Sequence, residues 1–205
     1  MSLNTDLPAD MHTHKAGQGR YFLLSGNESN AAVFVSRQFH PWNMPEDFVP
    51  FGEKFVSELK SFSALGEIGL DRLRGPSLSV QRRYLESLLE AAVAAEKPVV
   101  IHNVRCDAEL FSALKGFPHN VLIHGFRGGA KALEKYLELG YFVSFSGISN
   151  SSMADFLKKN GLVNTGIESD DAPESIEETA QKISQALDID VRENSITSFR
   201  KFLGI

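Results

Sequence analysis

The chain has 205 residues, of which 42% are hydrophobic and 23% charged, and its formal net charge is −5. This ordinary globular composition predicts one domain over residues 1–205 with a substantial core, while the negative charge argues against a long nucleic-acid footprint, though not against a small phosphorylated substrate. No apolar run is long enough to span a membrane, and the single cysteine, Cys106, excludes an intrachain disulfide, so we expect a cytoplasmic protein.

Short apolar runs along the chain predict eight β-strands. They cover residues 10–14, 21–24, 32–37, 64–67, 98–102, 120–124, 141–146 and 164–168. After residue 60 the runs alternate with helical patterns, which is typical of parallel βαβ units, whereas the first three are separated by loops too short for full helices. Eight such strands predict a TIM (β/α)₈ barrel that is distorted and lacks its first helices. Apolar surface left uncovered on that side would suit a homodimer.

Three helices between the later strands are marked by apolar stripes. One covers residues 79–96, after possible serine caps and before Pro98, and another covers residues 130–139. The third begins with a capping box, Ser175-x-x-Glu178. Its stripe consists of Ile176, Ala180, Ile183 and Leu187. We interpret all three stripes as faces that pack on a sheet.

His12 and His14 lie two residues apart in the first predicted strand. Side chains at this spacing point to the same side of a strand, where two imidazoles can bind one transition-metal ion. The pair alone is equally consistent with exposed histidines or with the remainder of a tag.

Side chains of the types that bind metal ions also occur near the ends of later predicted strands. They are His40, Glu67, His102 with Arg105, His124 with Arg127, and the acidic run Glu168 to Asp171. Singly, each has an ordinary explanation such as a helix cap or a bond to a backbone carbonyl. Together they bring five of the six histidines to one predicted face, with only His119 outside it. Four imidazoles and two carboxylates can hold two divalent ions if one carboxylate bridges, and such mixed ligands favour Zn²⁺, Mn²⁺, Fe²⁺ or Ni²⁺.

These segments, in this order, resemble the motif set of the TatD family of metal-dependent hydrolases, within the amidohydrolase superfamily. The resemblance runs from about Met11 to the C-terminus. The matching segments are His12 with His14, His40-Pro41 in part, Gly66 to Asp71 in full, Ile101 to Arg105, His124 to Gly128 and, loosely, Glu168 to Pro173.

The resemblance implies a distorted barrel with a binuclear metal site. Carried over residue by residue, one ion would be held by His12, His14, Glu67 and Asp170, and the other by Glu67, His102 and His124. Glu67 would bridge the two ions, whose identity among Zn, Mn, Fe, Ni and Mg stays open. Family members described as deoxyribonucleases cleave phosphodiester bonds, often at DNA ends.

The chain departs from the family at several points. Gln38 replaces an expected glycine, Ser198 replaces a usual asparagine, and a long substrate loop rich in basic residues is missing after Pro173. The last motif has one extra residue, so Asp171 rivals Asp170; the spacing from Glu168 favours Asp170. The missing loop weakens the inference to DNA.

The expected chemistry is hydrolysis by a metal-bridging hydroxide, with Asp170 as the proton acceptor and Glu67 as the bridge. Arg105 and Arg127 would bind phosphate oxygens or else form structural ion pairs. His40 would bind substrate or protonate a leaving group, or else fix its own turn by a hydrogen bond. The alternatives to phosphodiester cleavage are hydrolysis of a small amide, lactone or phosphoester, and a metal-binding protein without turnover.

Overall fold

The structure is a computed structural model and describes residues 7–15, 19–28 and 34–205. The strands are β1 (Ala9–Thr13), β2 (Tyr21–Gly26), β3 (Phe34–Arg37), β4 (Ala64–Asp71), β5 (Val99–Val104), β6 (Val121–Ile123), β7 (Phe142–Phe145) and β8 (Thr165–Ile167). The helices are α1 (Glu53–Leu59), α2 (Leu78–Ala95), α3 (Asp107–Ala113), α4 (Ala130–Glu138), α5 (Ser151–Asn160), α6 (Ile176–Leu187) and α7 (Arg192–Leu203). A 3₁₀ turn covers Pro41–Asn43. None of the helices in these ranges is long and apolar enough to cross a membrane.

The strands form one eight-stranded sheet in which hydrogen-bonded neighbours follow the order of the chain, from β1 to β8. The chain divides into two compact units. The first unit contains residues 1–24 and 122–205, and the second contains residues 25–121. The expectation of a single domain over the whole chain stays a prediction, as does the homodimer.

In the first unit, β6, β7 and β8 pair in parallel, and β1 lies beside β8 through a bridge between Thr13 and Asp170. Gly166 of β8 has no side chain because Met11 of β1 fills that space: a Cβ there would lie 2.5 Å from the Met11 Cγ. Helix α7 packs against both strands, and its Ser195 hydroxyl accepts a hydrogen bond from the Ala9 N–H at 2.9 Å. The candidate ligand residues at the ends of β1 and β8 therefore adjoin two strands whose residues are all buried.

In the second unit, β4 pairs in parallel with β3 and β5, and every residue of β4 is buried. Helix α2 covers β4 with the predicted stripe of Val80, Tyr84, Leu88 and Ala92, all of them buried. Gly69 allows an unusually close approach to β5, since a Cβ at its φ of +148° would lie 2.0 Å from the His102 carbonyl oxygen. This close pairing sets the register that brings β4 and β5 side chains together.

All eight predicted strands are present, with changed bounds. The largest change is in β4 and β5, which extend to Asp71 and Val104, so Glu67 and His102 lie within strands rather than at their ends. The predicted third strand begins earlier than β3, at residues that lie outside the described ranges.

The predicted helices correspond to α2, α4 and α6, and the capping box at Ser175 is formed. Helices α1, α3, α5 and α7 were not predicted; α1 and α3 span only seven residues each, too few to show a helical period. In the first two connections no helix occurs among the described residues, as expected; residues 16–18 and 29–33 lie outside them.

Candidate metal-binding clusters

The first cluster consists of His12, His14 and Asp170, all in the first unit. The Asp170 Oδ1 lies 3.8 Å from the His12 Nε2 and 3.7 Å from the His14 Nε2. The His12 side chain is fully buried, while His14 and Asp170 are partly exposed. The cluster therefore has a buried side at His12 and a solvent-facing side at His14 and Asp170.

Backbone hydrogen bonds between β1 and the segment that follows β8 fix the position of Asp170. Its N–H donates to the His12 carbonyl at 3.0 Å, and its own carbonyl accepts from the His14 N–H at 3.4 Å. Asp170 adopts a left-handed φ of 50°, a strained conformation for a residue with a side chain. Because the same segment exchanges bonds with both histidines, the carboxylate and the two imidazoles are positioned as one element.

Asp10 is hydrogen-bonded to Ser169, the residue that precedes Asp170. Its two carboxyl oxygens accept hydrogen bonds from the Ser169 N–H at 3.0 Å and the Ser169 hydroxyl at 2.6 Å, and that hydroxyl also lies 2.9 Å from the Thr13 hydroxyl. Burial, opposed by the Ser169 bonds, raises the pKa of Asp10 from 3.8 to about 7. Asp10 is not among the residues for which the sequence predicted a role.

His124 belongs to the same unit, with its ring centroid 4.3 Å from that of His12. Its Nδ1 lies 4.0 Å from the Glu168 carboxyl. His124, Glu168 and Asp170 form a further possible ligand group, which shares Asp170 with the first cluster. Glu168 is fully buried and accepts hydrogen bonds from the Gly125 N–H and the Ser144 hydroxyl. Burial, opposed by the interaction with His124, raises the pKa of Glu168 to about 7.

The second cluster consists of His40, Glu67 and His102, all in the second unit. The Glu67 Oε2 lies 3.5 Å from both the His40 Nε2 and the His102 Nδ1. Glu67 is only 3% exposed, so its carboxylate is almost completely shielded from solvent. A buried carboxylate between two imidazoles is an arrangement suited to a shared cation.

Asp71 lies directly behind His102. One of its carboxyl oxygens, Oδ2, accepts from the Trp42 indole N–H at 2.5 Å and lies 3.2 Å from the His102 Nε2. The other accepts from the N–H groups of Leu73 and Arg74. Burial raises the pKa of Asp71, but the hydrogen bonds from Trp42, Leu73 and His102 outweigh it, so the pKa lies below its ordinary value.

The donor sets of both clusters fit a divalent transition metal. Within each group the available ligand atoms all lie within 4.8 Å of one another, and each set mixes imidazole nitrogen with carboxylate oxygen. Such mixed sets suit Zn²⁺, Mn²⁺, Fe²⁺ or Ni²⁺ better than an all-oxygen Ca²⁺ site. The ligand assignment carried over from the motifs, with Glu67 shared between two ions, stays a prediction.

The remaining predicted residues lie in different settings. Arg105 and Arg127 are exposed, and neither side chain forms an ion pair within the described part of the chain. The His40 Nδ1 accepts a hydrogen bond from the Trp42 N–H at 3.2 Å, which fixes the turn as one alternative anticipated, while its Nε2 faces Glu67. Asp171 is exposed and belongs to none of the possible ligand groups found among the described residues, whereas Asp170 belongs to two of them.

Comparison with known proteins agrees with the motif set. The family model for TatD-related DNases matches residues 10–200. Deoxyribonuclease Tat-D of Schizosaccharomyces pombe is 29% identical over 114 residues, and the uncharacterized metal-dependent hydrolase YjjV of Escherichia coli K12 is 31% identical over 114 residues. These alignments cover 51% and 52% of this chain. They span only 36% and 44% of the two relatives, less than half of their length.

Solved structures show the fold. The crystal structure of YjjV, a TatD homologue, superimposes with a TM-score of 0.69 at 18% sequence identity. The superposition covers 90% of this chain and 86% of that one. The predicted TIM-barrel fold is confirmed.

Proposed function

Since this chain belongs to the family of TatD-related DNases, we propose that it is a divalent-metal-dependent hydrolase that cleaves phosphodiester bonds. The observation that carries the proposal is the first cluster, in which two imidazoles and a carboxylate offer ligand atoms within 4.8 Å of one another. The name of the S. pombe relative, a deoxyribonuclease, supports the choice of bond.

His12, His14 and Asp170 would contribute ligands to one ion, and Glu67 with His102 to a second, which is part of the ligand set that the motifs predict. Bound divalent ions supply an acidified water and stabilise negative charge on the attacking and leaving oxygens. Asp170 is the most exposed member of the first cluster, so its carboxylate can orient the attacking water and accept its proton. Arg105 and Arg127, both exposed guanidinium groups, would donate paired hydrogen bonds to phosphate oxygens.

The second candidate is hydrolysis of a small amide, lactone or phosphoester with the same residues. The observation that favours it is the net charge of −5, because a protein that binds long DNA usually neutralises several phosphates with lysine and arginine. Short DNA ends would remain compatible with this charge, since they need few phosphate contacts.

The test is hydrolysis of bis-p-nitrophenyl phosphate by metal-stripped protein to which Mn²⁺, Zn²⁺ or Mg²⁺ is restored. An ester and a lactone substrate are assayed in parallel. We expect turnover of the phosphodiester that depends on metal and is lost in Asp170→Asn. Asp171→Asn is the matched control, because it makes the same chemical change at the exposed neighbouring residue and should keep full activity.

Turnover of the lactone or ester alone would move the assignment to the second candidate. Full activity in Asp170→Asn would remove its role as proton acceptor. Absence of metal binding in the wild-type protein would contradict the proposal as a whole.

A further inference from the structure

Asp71 is a buried carboxylate that lies beside the second cluster and has no part in the proposed chemistry. It is 2% exposed and accepts hydrogen bonds from three fixed donors, the N–H groups of Leu73 and Arg74 on one oxygen and the Trp42 indole N–H on the other. The oxygen that faces Trp42 also lies 3.2 Å from the His102 Nε2. A carboxylate that is hydrogen-bonded to a metal ligand can fix the orientation of that ligand without itself binding the ion.

Asp71 is held in place independently of His102. The Gln81 side chain accepts from the Asp71 N–H at 2.7 Å and donates to the Asp71 carbonyl at 2.9 Å, bonds that clamp its backbone to α2. The two backbone N–H groups and the Trp42 indole then fix the carboxylate plane. The direction of the acceptor oxygen is therefore set before His102 bonds to it.

The two ring nitrogens of His102 face different carboxylates. Nε2 lies 3.2 Å from Asp71 in a hydrogen bond, and Nδ1 lies 3.5 Å from Glu67. A neutral imidazole carries one N–H, and an ionised carboxylate only accepts, so the proton belongs on the nitrogen with the shorter contact. The lone pair then lies on Nδ1, on the side of Glu67 and His40.

We propose that Asp71 is a positioning residue, whose carboxylate accepts the Nε2–H of His102 and so directs the Nδ1 lone pair toward a divalent cation held with Glu67. The part that concerns the cation rests on the proposed function, whereas the tautomer of His102 does not. Carboxylate–histidine pairs of this kind fix ring orientation and raise the basicity of the ligand nitrogen.

The first test uses the wild-type protein and no metal. Long-range ¹H–¹⁵N correlation spectra of ¹⁵N-histidine-labelled, metal-free protein, recorded well above the ordinary histidine pKa, report which ring nitrogen carries the proton. The His102 signals are assigned by their loss in His102→Asn. We expect the Nε2–H tautomer, and a predominant Nδ1–H tautomer would overturn the proposal.

The second test is Asp71→Asn, with metal affinity as the readout. Its amide oxygen would turn toward the N–H groups of Leu73 and Arg74, which leaves its NH₂ facing both the Trp42 indole N–H and the His102 Nε2. Since an NH₂ donates, the Nε2 must now accept and the proton moves to Nδ1, the nitrogen assigned to the metal. We expect roughly 10- to 100-fold weaker Zn²⁺ affinity, measured by competition with a fluorescent chelator, together with the changed tautomer.

A control variant separates this role from general effects. Asp155→Asn makes the same chemical change at an exposed site of the other unit and should keep wild-type affinity. Unchanged affinity in folded Asp71→Asn would contradict the proposal. Failure of the wild-type protein to bind Zn²⁺ would instead contradict the proposed function, and the wild-type tautomer still decides the role of Asp71 if Asp71→Asn does not fold.

Discussion

Replacing Asp10 with asparagine should change how the stability of the metal-free protein depends on pH. Burial raises the pKa of Asp10 from 3.8 to about 7, so the folded protein keeps a proton that the unfolded chain has already lost. Protonation therefore favours folding, and this contribution is fully present below the unfolded pKa and lost as the pH rises through about 7. Asparagine is neutral and nearly the same size, and its NH₂ can donate to the Ser169 hydroxyl as a protonated Asp10 would.

The size of the effect follows from the two pKa values. A difference of about three pH units corresponds to ~4 kcal/mol over the whole range. Between about pH 5 and about pH 8 the Asp10 contribution should fall by roughly 2–3 kcal/mol. Glu168, whose pKa is also raised to about 7 by burial, adds a fall in the same direction, so Asp10→Asn should remove about half of the pH dependence.

The assay is urea unfolding of wild-type protein, Asp10→Asn and Asp171→Asn, followed by circular dichroism at several pH values. A chelator is present because bound cations would keep nearby carboxylates ionised. Asp171 is exposed, so Asp171→Asn should keep the wild-type pH dependence. Equal pH dependence in wild-type protein and Asp10→Asn would refute the reasoning, since it would mean that Asp10 is ionised in the folded protein throughout this range.

Three other substitutions test the metal assignment and the fold. Glu67→Gln should lower the number of ions bound per chain by removing a shared ligand, as measured by elemental analysis after dialysis; retention of two ions would disprove the bridge. Ser175→Ala removes the hydroxyl that accepts the Glu178 N–H in the capping box of α6 and should lower the free energy of unfolding by about 1 kcal/mol in urea titrations, whereas no loss would show that the cap is dispensable. Gly69→Ala places a Cβ 2.0 Å from the His102 carbonyl oxygen at a φ of +148°, so it should cost more than about 3 kcal/mol or prevent folding, and a melting temperature equal to the wild type would contradict the close pairing of β4 with β5.

The strands and the longer helices could be predicted from sequence because their signals are local. The stripe on α2 and the capping box at Ser175 need only residues a few positions apart, and both are present as expected. Short helices such as α3 were missed because seven residues span two turns, which is too little to establish a period. Strand ends were misplaced for β4 because the ladder to β5, rather than local preference, carries it on to Asp71.

The candidate site divides in the same way. By itself the sequence determined the inventory of possible ligands, since the two-residue spacing of His12 and His14 and the order of the later motifs are properties of the chain. Only the tertiary structure decided which distant side chains meet and how they are solvated. The hydrogen bonds of Asp10 with Ser169 join β1 to the segment after β8, and the contact of Asp71 with His102 joins β4 to β5, so the pairing of the strands creates them. The raised pKa of Asp10 likewise depends on burial by the whole fold, which no local pattern encodes.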